Sequence, residues 1–140
     1  MLRAIDPGYV WDFSLEPESV ADRTVFKLGV VDSILMGAIE DGRVQYKVNN
    51  NGPDAPADTT INVKSRNIDV VRFGLKGWKN FQGNDGKDVV FRTEPILVPT
   101  VGVRQGLPDE LVKAFDIEWI QKLGAEIRSA HRLSEQEKKT

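Results

Sequence analysis

The stretch from Lys64 to Phe91, KSRNIDVVRFGLKGWKNFQGNDGKDVVF, forces a change of backbone period in the middle of the chain. Ile68, Val71 and Leu75 recur at helical spacing, with Val70 and Phe73 on the adjoining side. Gly74 and Gly77 break that pattern, Trp78 and Phe81 follow, and Asn84-Asp85-Gly86 reads as a turn before an extended Val89-Val90-Phe91. Large aromatics just past a helix end lock that end onto a core, so Trp78 and Phe81 are expected anchors. A helix that yields so quickly to a turn and an extended run points to an α+β fold. The expectation is a small antiparallel sheet (about three to five strands) packed against a central short helix and C-terminal helices.

Upstream, residues 1–23 are acidic and broken by Pro7-Gly8 and Pro17. Tyr9, Trp11 and Phe13 alternate, which places three aromatics on one side of an extended segment. Two readings are open: a strand folded onto the protein's own core, or an arm that docks on another subunit. Thr24–Val31 reads as a strand, and Asp32 or Ser33 caps a short helix whose apolar face is Ile34, Leu35, Ala38 and Ile39, with Gly42 as its stop. Val44, Tyr46 and Val48 alternate as a strand, residues 49–56 form a loop, and Thr59–Lys64 returns as the partner strand with Ile61 and Val63 on one face. Ser65 or Asn67 then caps a helix from Ile68 to Leu75.

Downstream, the apolar run 92–106 contains Pro95 and Pro99, which confine it to a sheet edge or an irregular crossing. It is either tucked under the domain or offered to a partner. Leu107-Pro108-Asp109-Glu110 opens the C-terminal helices, with acids at the positive dipole end. Asp116 caps a second helix striped by Trp119, Ile120, Leu123, Ile127 and Ala130; Trp119 is the third expected anchor, and Gly124 allows another backbone to come close. Ser134 to Glu137 spells a capping box at a frayed final turn. The organisation is thus an arm (1–23), one domain (24–133) and a tail (134–140).

Chemistry is harder to find. The chain has no cysteine and one histidine, His131, near the end of the last helix. Disulfides, thiolate metal sites and a thiol nucleophile are therefore excluded, and no cofactor is expected. Glu40-Asp41 and Asp109-Glu110 are adjacent carboxylates, but neighbours on a helix point to different faces and make no ready acid/base pair. No Gly-x-Ser-x-Gly, P-loop or calcium-loop spacing occurs. The reading is of a protein that is not an enzyme. Lys64, Arg66, Arg72, Lys76, Lys79 and Lys87 are offset by acids, and a net charge of −2 gives no reason to expect a nucleic-acid partner. No apolar run approaches the ~20 residues that span a bilayer, and MLRAIDPGYVWDF lacks a signal-peptide core, so a soluble, intracellular protein is expected.

The order of short motifs nevertheless resembles a known group. Thr24-Val25-Phe26-Lys27-Leu28 is followed by Gly74-Leu75-Lys76-Gly77-Trp78-Lys79-Asn80-Phe81, then Gly86-Lys87-Asp88-Val89-Val90-Phe91, Leu107-Pro108-Asp109-Glu110-Leu111, and Leu133-Ser134-Glu135-Gln136-Glu137-Lys138-Lys139. The series is similar to small structural-module proteins of tailed bacteriophages, tail assembly chaperones above all. It departs from them at the Gly-rich 102–106 region and at Thr140. The resemblance implies work by binding: covering apolar surface on tail tube or tape-measure subunits in the host cytoplasm until they assemble. Tyr9, Trp11, Phe13, Ile96, Leu97 and Val98 are the expected partner-binding residues, and a homo-oligomer is compatible with the role. It also suggests a product extended by frameshifting at the Lys138-Lys139 codons. The alternatives are a permanent virion component (a connector, neck or tail-completion subunit) and, from another class, a nucleic-acid-binding regulator using Arg66, Arg72, Lys76 and Lys79.

Overall fold

A computed structural model describes residues 4–41 and 59–137, with side chains described for 4–41 and 65–130. The expected strand at 44–48, the loop at 49–56, the stop at Gly42 and the Lys138-Lys139 pair lie outside the described residues. Within them the fold is α+β, with a three-stranded and a two-stranded antiparallel sheet.

The larger sheet runs β1 (Val10–Phe13), β2 (Val25–Gly29), β3 (Leu75–Lys79), with β2 central. Register places Trp11 beside Leu28, Phe13 beside Phe26 and Phe26 beside Trp78, all on one face. That face is the floor of the core, because side chains alternate across a strand and Phe26 and Leu28 are fully buried. Of the alternating aromatics, Trp11 and Phe13 thus belong to a strand of the protein's own sheet, and Tyr9 stands just before it.

Helix α1 (Ser33–Glu40) follows β2, and its N-cap is Asp32, whose Oδ1 accepts from the Leu35 N–H at 2.9 Å. Leu35, Ala38 and Ile39 face the core as expected, whereas Ile34 is turned outward and 65% exposed. The apolar stripe that packs on the core does not reach round the helix to Ile34.

Helix α2 spans Thr59–Gly74 and passes without a loop into β3. This corrects two expectations. Thr59–Lys64 is helical and not a strand, so it cannot be the second arm of a hairpin. Ser65 and Asn67 are mid-helix and cap nothing; Asn67 instead donates to Gln121 Oε1 at 2.5 Å and accepts from Arg128 Nε at 3.2 Å. The β-branched bias of Thr59, Thr60, Ile61 and Val63 is worth tenths of a kcal/mol per residue, and extension of a helix anchored in the core outweighs it.

Helix α3 (Asp109–Val112) and helix α4 (Ile117–Glu137) complete the core. Asp116 opens α4, its carboxylate accepting from the Glu118 N–H at 2.8 Å. The backbone stays helical through Ser134 to Glu137, so that segment continues α4 and starts no new turn. The space expected at Gly124 for another backbone is taken by a side chain of α2: a Cβ there would lie 2.7 Å from Asn67 Oδ1. Gly74 plays the same part at the helix end, where a Cβ would meet Ile127 Cδ1 at 2.7 Å.

Trp78, Phe81 and Trp119 join Phe26, Phe91 and Phe115 in one aromatic cluster. Phe81 lies 5.8 Å from Phe26, 5.1 Å from Trp78, 5.2 Å from Phe115 and 6.3 Å from Trp119, ring centre to ring centre. Trp78 Nε1 donates to Val89 O at 2.7 Å, which ties the turn at Gly83–Gly86 back over the cluster.

Candidate interaction surface

The run that the prolines made ambiguous is a hairpin: β4 (Glu94–Val98) pairs with β5 (Gly102–Gly106). Two strands alone are all edge, which is where Pro95 is tolerated. The turn has Pro99 at its second position and Thr100 at its third, and Val101 N–H donates to Val98 O at 3.0 Å. Thr100 carries φ +65°, a conformation that β-branched residues rarely adopt, and Gly102 carries φ +111°.

Alternation divides the expected patch 96–98. Val98 is buried and Ile96 half-buried against the core; Leu97 alone points away, 73% exposed. Directly opposite stands Val103, 58% exposed, so the outward face of the hairpin carries a cross-strand apolar pair. The contribution of Val103 was legible only with the pairing register, since it sits in the Gly-rich stretch rather than in the Ile-Leu-Val run. The inward face is docked firmly. Gly106 lets Ile96 and Phe73 close in, a Cβ there being 3.0 Å from both. Leu107 N–H donates to Arg72 O at 3.0 Å, and Arg72 returns bonds to Leu107 O at 2.7 Å and Asp109 Oδ1 at 2.8 Å.

The aromatic segment is divided in the same way. Trp11 and Phe13 are half-buried and pack against the core, as their positions beside Leu28 and Phe26 require. Tyr9 is 52% exposed and stacks on Trp11, ring centres 5.4 Å apart. Val10 is exposed on the other face of the strand.

A three-residue connection between β2 and α1 brings these pieces into one neighbourhood. Val30 N–H donates to Tyr9 O at 3.4 Å; two residues on, Asp32 Oδ2 accepts from Arg104 Nε at 3.2 Å. Arg104 is the neighbour of Val103 and sits opposite Ile96. Asp32 therefore caps α1 with one oxygen and holds the hairpin with the other. Tyr9, Val10, Ile34, Leu97 and Val103 are all attached within a few residues of that junction.

Among the described residues, three further ion pairs lie away from the junction. Glu40 pairs with Arg128, Asp109 with Arg72 and Glu110 with Arg92 (2.6 Å). Arg72 is buried, so it cannot share an exposed basic strip with Lys76 and Lys79. Burial pushes the Asp69 carboxyl up to about 6, against the opposing pull of Arg72 one turn along. Among the described residues no three His, Asp or Glu side chains converge on a metal-sized site. A concavity of about 640 Å³ opens beside the aromatic cluster, between Glu16, Asp22 and Thr24 on one wall and Trp119 and Lys122 on the other. Its Glu16 carboxylate accepts from the Thr24 N–H at 2.8 Å. No helix among the described residues is long and apolar enough to cross a membrane.

No family model, curated protein or solved structure matches the chain.

Proposed function

We propose that this protein is a non-enzymatic morphogenesis factor of a tailed phage, most simply a tail assembly chaperone that covers apolar surface on tail tube or tape-measure subunits. The observation that carries the reading is the exposed cross-strand pair Leu97 and Val103 on the outward face of the hairpin, with Tyr9 and Ile34 exposed on the segments beside the Val30–Asp32 junction. Isolated exposed apolar residues are ordinary, but a directly paired Leu97 and Val103 on an exposed hairpin face suit a binding surface. The pairing of Glu40, Asp109 and Glu110 with arginines supports binding over acid–base chemistry. The host cytoplasm during assembly is the location this role requires.

The test is co-expression with the tail tube and tape-measure subunits encoded nearby. The protein is expected to raise their soluble yield and to be missing from purified virions by mass spectrometry. Recovery in mature particles would transfer the reading to a connector, neck or tail-completion subunit. A genome placing the gene beside portal and terminase genes, with no tape-measure gene following, would count against the chaperone.

A further inference from the structure

We propose that copies of this chain associate head to tail, the acidic loop 16–22 of one copy seating on the lysine-lined outer face of the three-stranded sheet of the next. The inference rests on charge and shape and does not depend on the phage reading.

The receiving face lies on the side of the sheet away from the core. Register places Val25 beside Lys79 and Lys27 beside Gly77, opposite in sense to Phe26, Leu28 and Trp78. Gly77 contributes no side chain, and the result is a shallow trough of about 340 Å³ lined by Asp12, Val25, Lys27, Lys76, Gly77, Trp78 and Lys79. The Lys76 stem lies across Gly29, and its ammonium returns to Phe73 O at 2.9 Å, so that charge is committed at the end of α2. Lys79, opposite Val25 on β3, and Lys27, two residues along β2 and opposite Asp12 on β1, remain exposed.

The donor loop has the complementary pattern. Its base is braced: Glu16 accepts from Thr24 N–H, Ser14 Oγ donates to Thr24 O at 2.6 Å, and Val20 N–H donates to Pro17 O at 3.0 Å. Glu18 and Asp22 project from it as exposed carboxylates on either side of an exposed Val20. The loop thus offers two acids and a valine to a face that offers two ammoniums and a valine. The ion pairs among the described residues use none of these four charges, and no residue of the loop lines its own chain's trough. A nucleic acid fits the face less well, since it offers no arginine. Because loop and trough are different surfaces, the contact is heterologous and propagates to a ring or a filament.

The contact is small and exposed, so its association is weak and salt-sensitive. Sedimentation velocity over a concentration series at 50 mM NaCl is expected to show oligomers whose apparent affinity falls roughly tenfold or more at 500 mM. Lys27→Glu with Lys79→Glu should leave a monomer, as should Glu18→Lys with Asp22→Lys. Mixing the two variants should restore association, because each loop then meets a trough of opposite sign. Circular dichroism checks that both variants fold; Lys27→Gln with Lys79→Gln, which introduces no like-charge pair with Asp12, supplies a milder variant expected to weaken association without rescue. A chain that stays monomeric at low salt up to millimolar concentration overturns the proposal. So does association that neither charge reversal touches, or a monomer that binds a short DNA duplex through Lys27 and Lys79.

Discussion

Six aromatic rings close on one another around Phe81, whereas around Leu97 an apolar pair stands on a two-stranded sheet with no layer of the described residues over it. The rings come from β2, β3, the turn that follows it, the segment before β4, the α3–α4 connection and the start of α4, so the aromatic end is a meeting of segments distant in sequence. The hairpin end is local, and its inward face does all the docking: Ile96 and Val98 go into the core while Arg104 reaches Asp32. Stability is thus concentrated at one end, and at the other the fold leaves apolar surface that it does not need. A change at Phe81 and a change at Leu97 should consequently fail in different ways.

The largest effect is expected from Phe81→Ala, which opens a hole among four rings and should cost about 3–5 kcal/mol. Urea denaturation checks it; a loss under 1 kcal/mol would show that the cluster is not where stability resides. Next is α2, the element joining the two ends. Asp69 titrates near 3.8 in an unfolded chain and near 6 in the fold. Below about pH 4 it is protonated in both states. Between about pH 4 and 6 the unfolded chain releases its proton first, so stability falls as pH rises through that window, by up to about 3 kcal/mol, and is level above it. Asp69→Asn should flatten that slope in denaturant titrations across pH.

Smaller effects belong to the hairpin. Thr100→Gly relieves a β-branched residue at φ +65° and should stabilise the protein by about 1 kcal/mol, read as a higher Tm. Leu97→Ser with Val103→Ser should change stability by no more than about 0.5 kcal/mol, since both side chains are already in water. A loss of several kcal/mol there would mean that the outward face is covered, and the contrast between the two ends would disappear.

How much of this was legible depended on whether the signal was local. The Asp116 start of α4 stands as read; of the two caps offered for α1 the structure uses Asp32, and of the two places left to Pro95 it uses a sheet edge. The room at Gly124 is used by the Asn67 side chain and not by a backbone. The helical state of residues 59–64 was not legible, because a β-branched run was overruled by packing further along the same helix. The run 96–98 was recognised as apolar, but only the pairing of Leu97 with Val103 tells which of its side chains faces outward. Tyr9, Trp11 and Phe13 were placed on one side of a strand, yet what that side meets, the edge of the core formed by Leu28 and Phe26, is set by a register no local pattern carries.

The most direct test measures how much of the co-expressed tail tube or tape-measure subunit stays soluble with the wild-type chain and with Tyr9→Ser, Leu97→Ser and Val103→Ser combined. The account predicts a variant that melts within a few degrees of wild type and has lost most of the solubilising effect. A variant that folds and still protects its partner as well as wild type would contradict it.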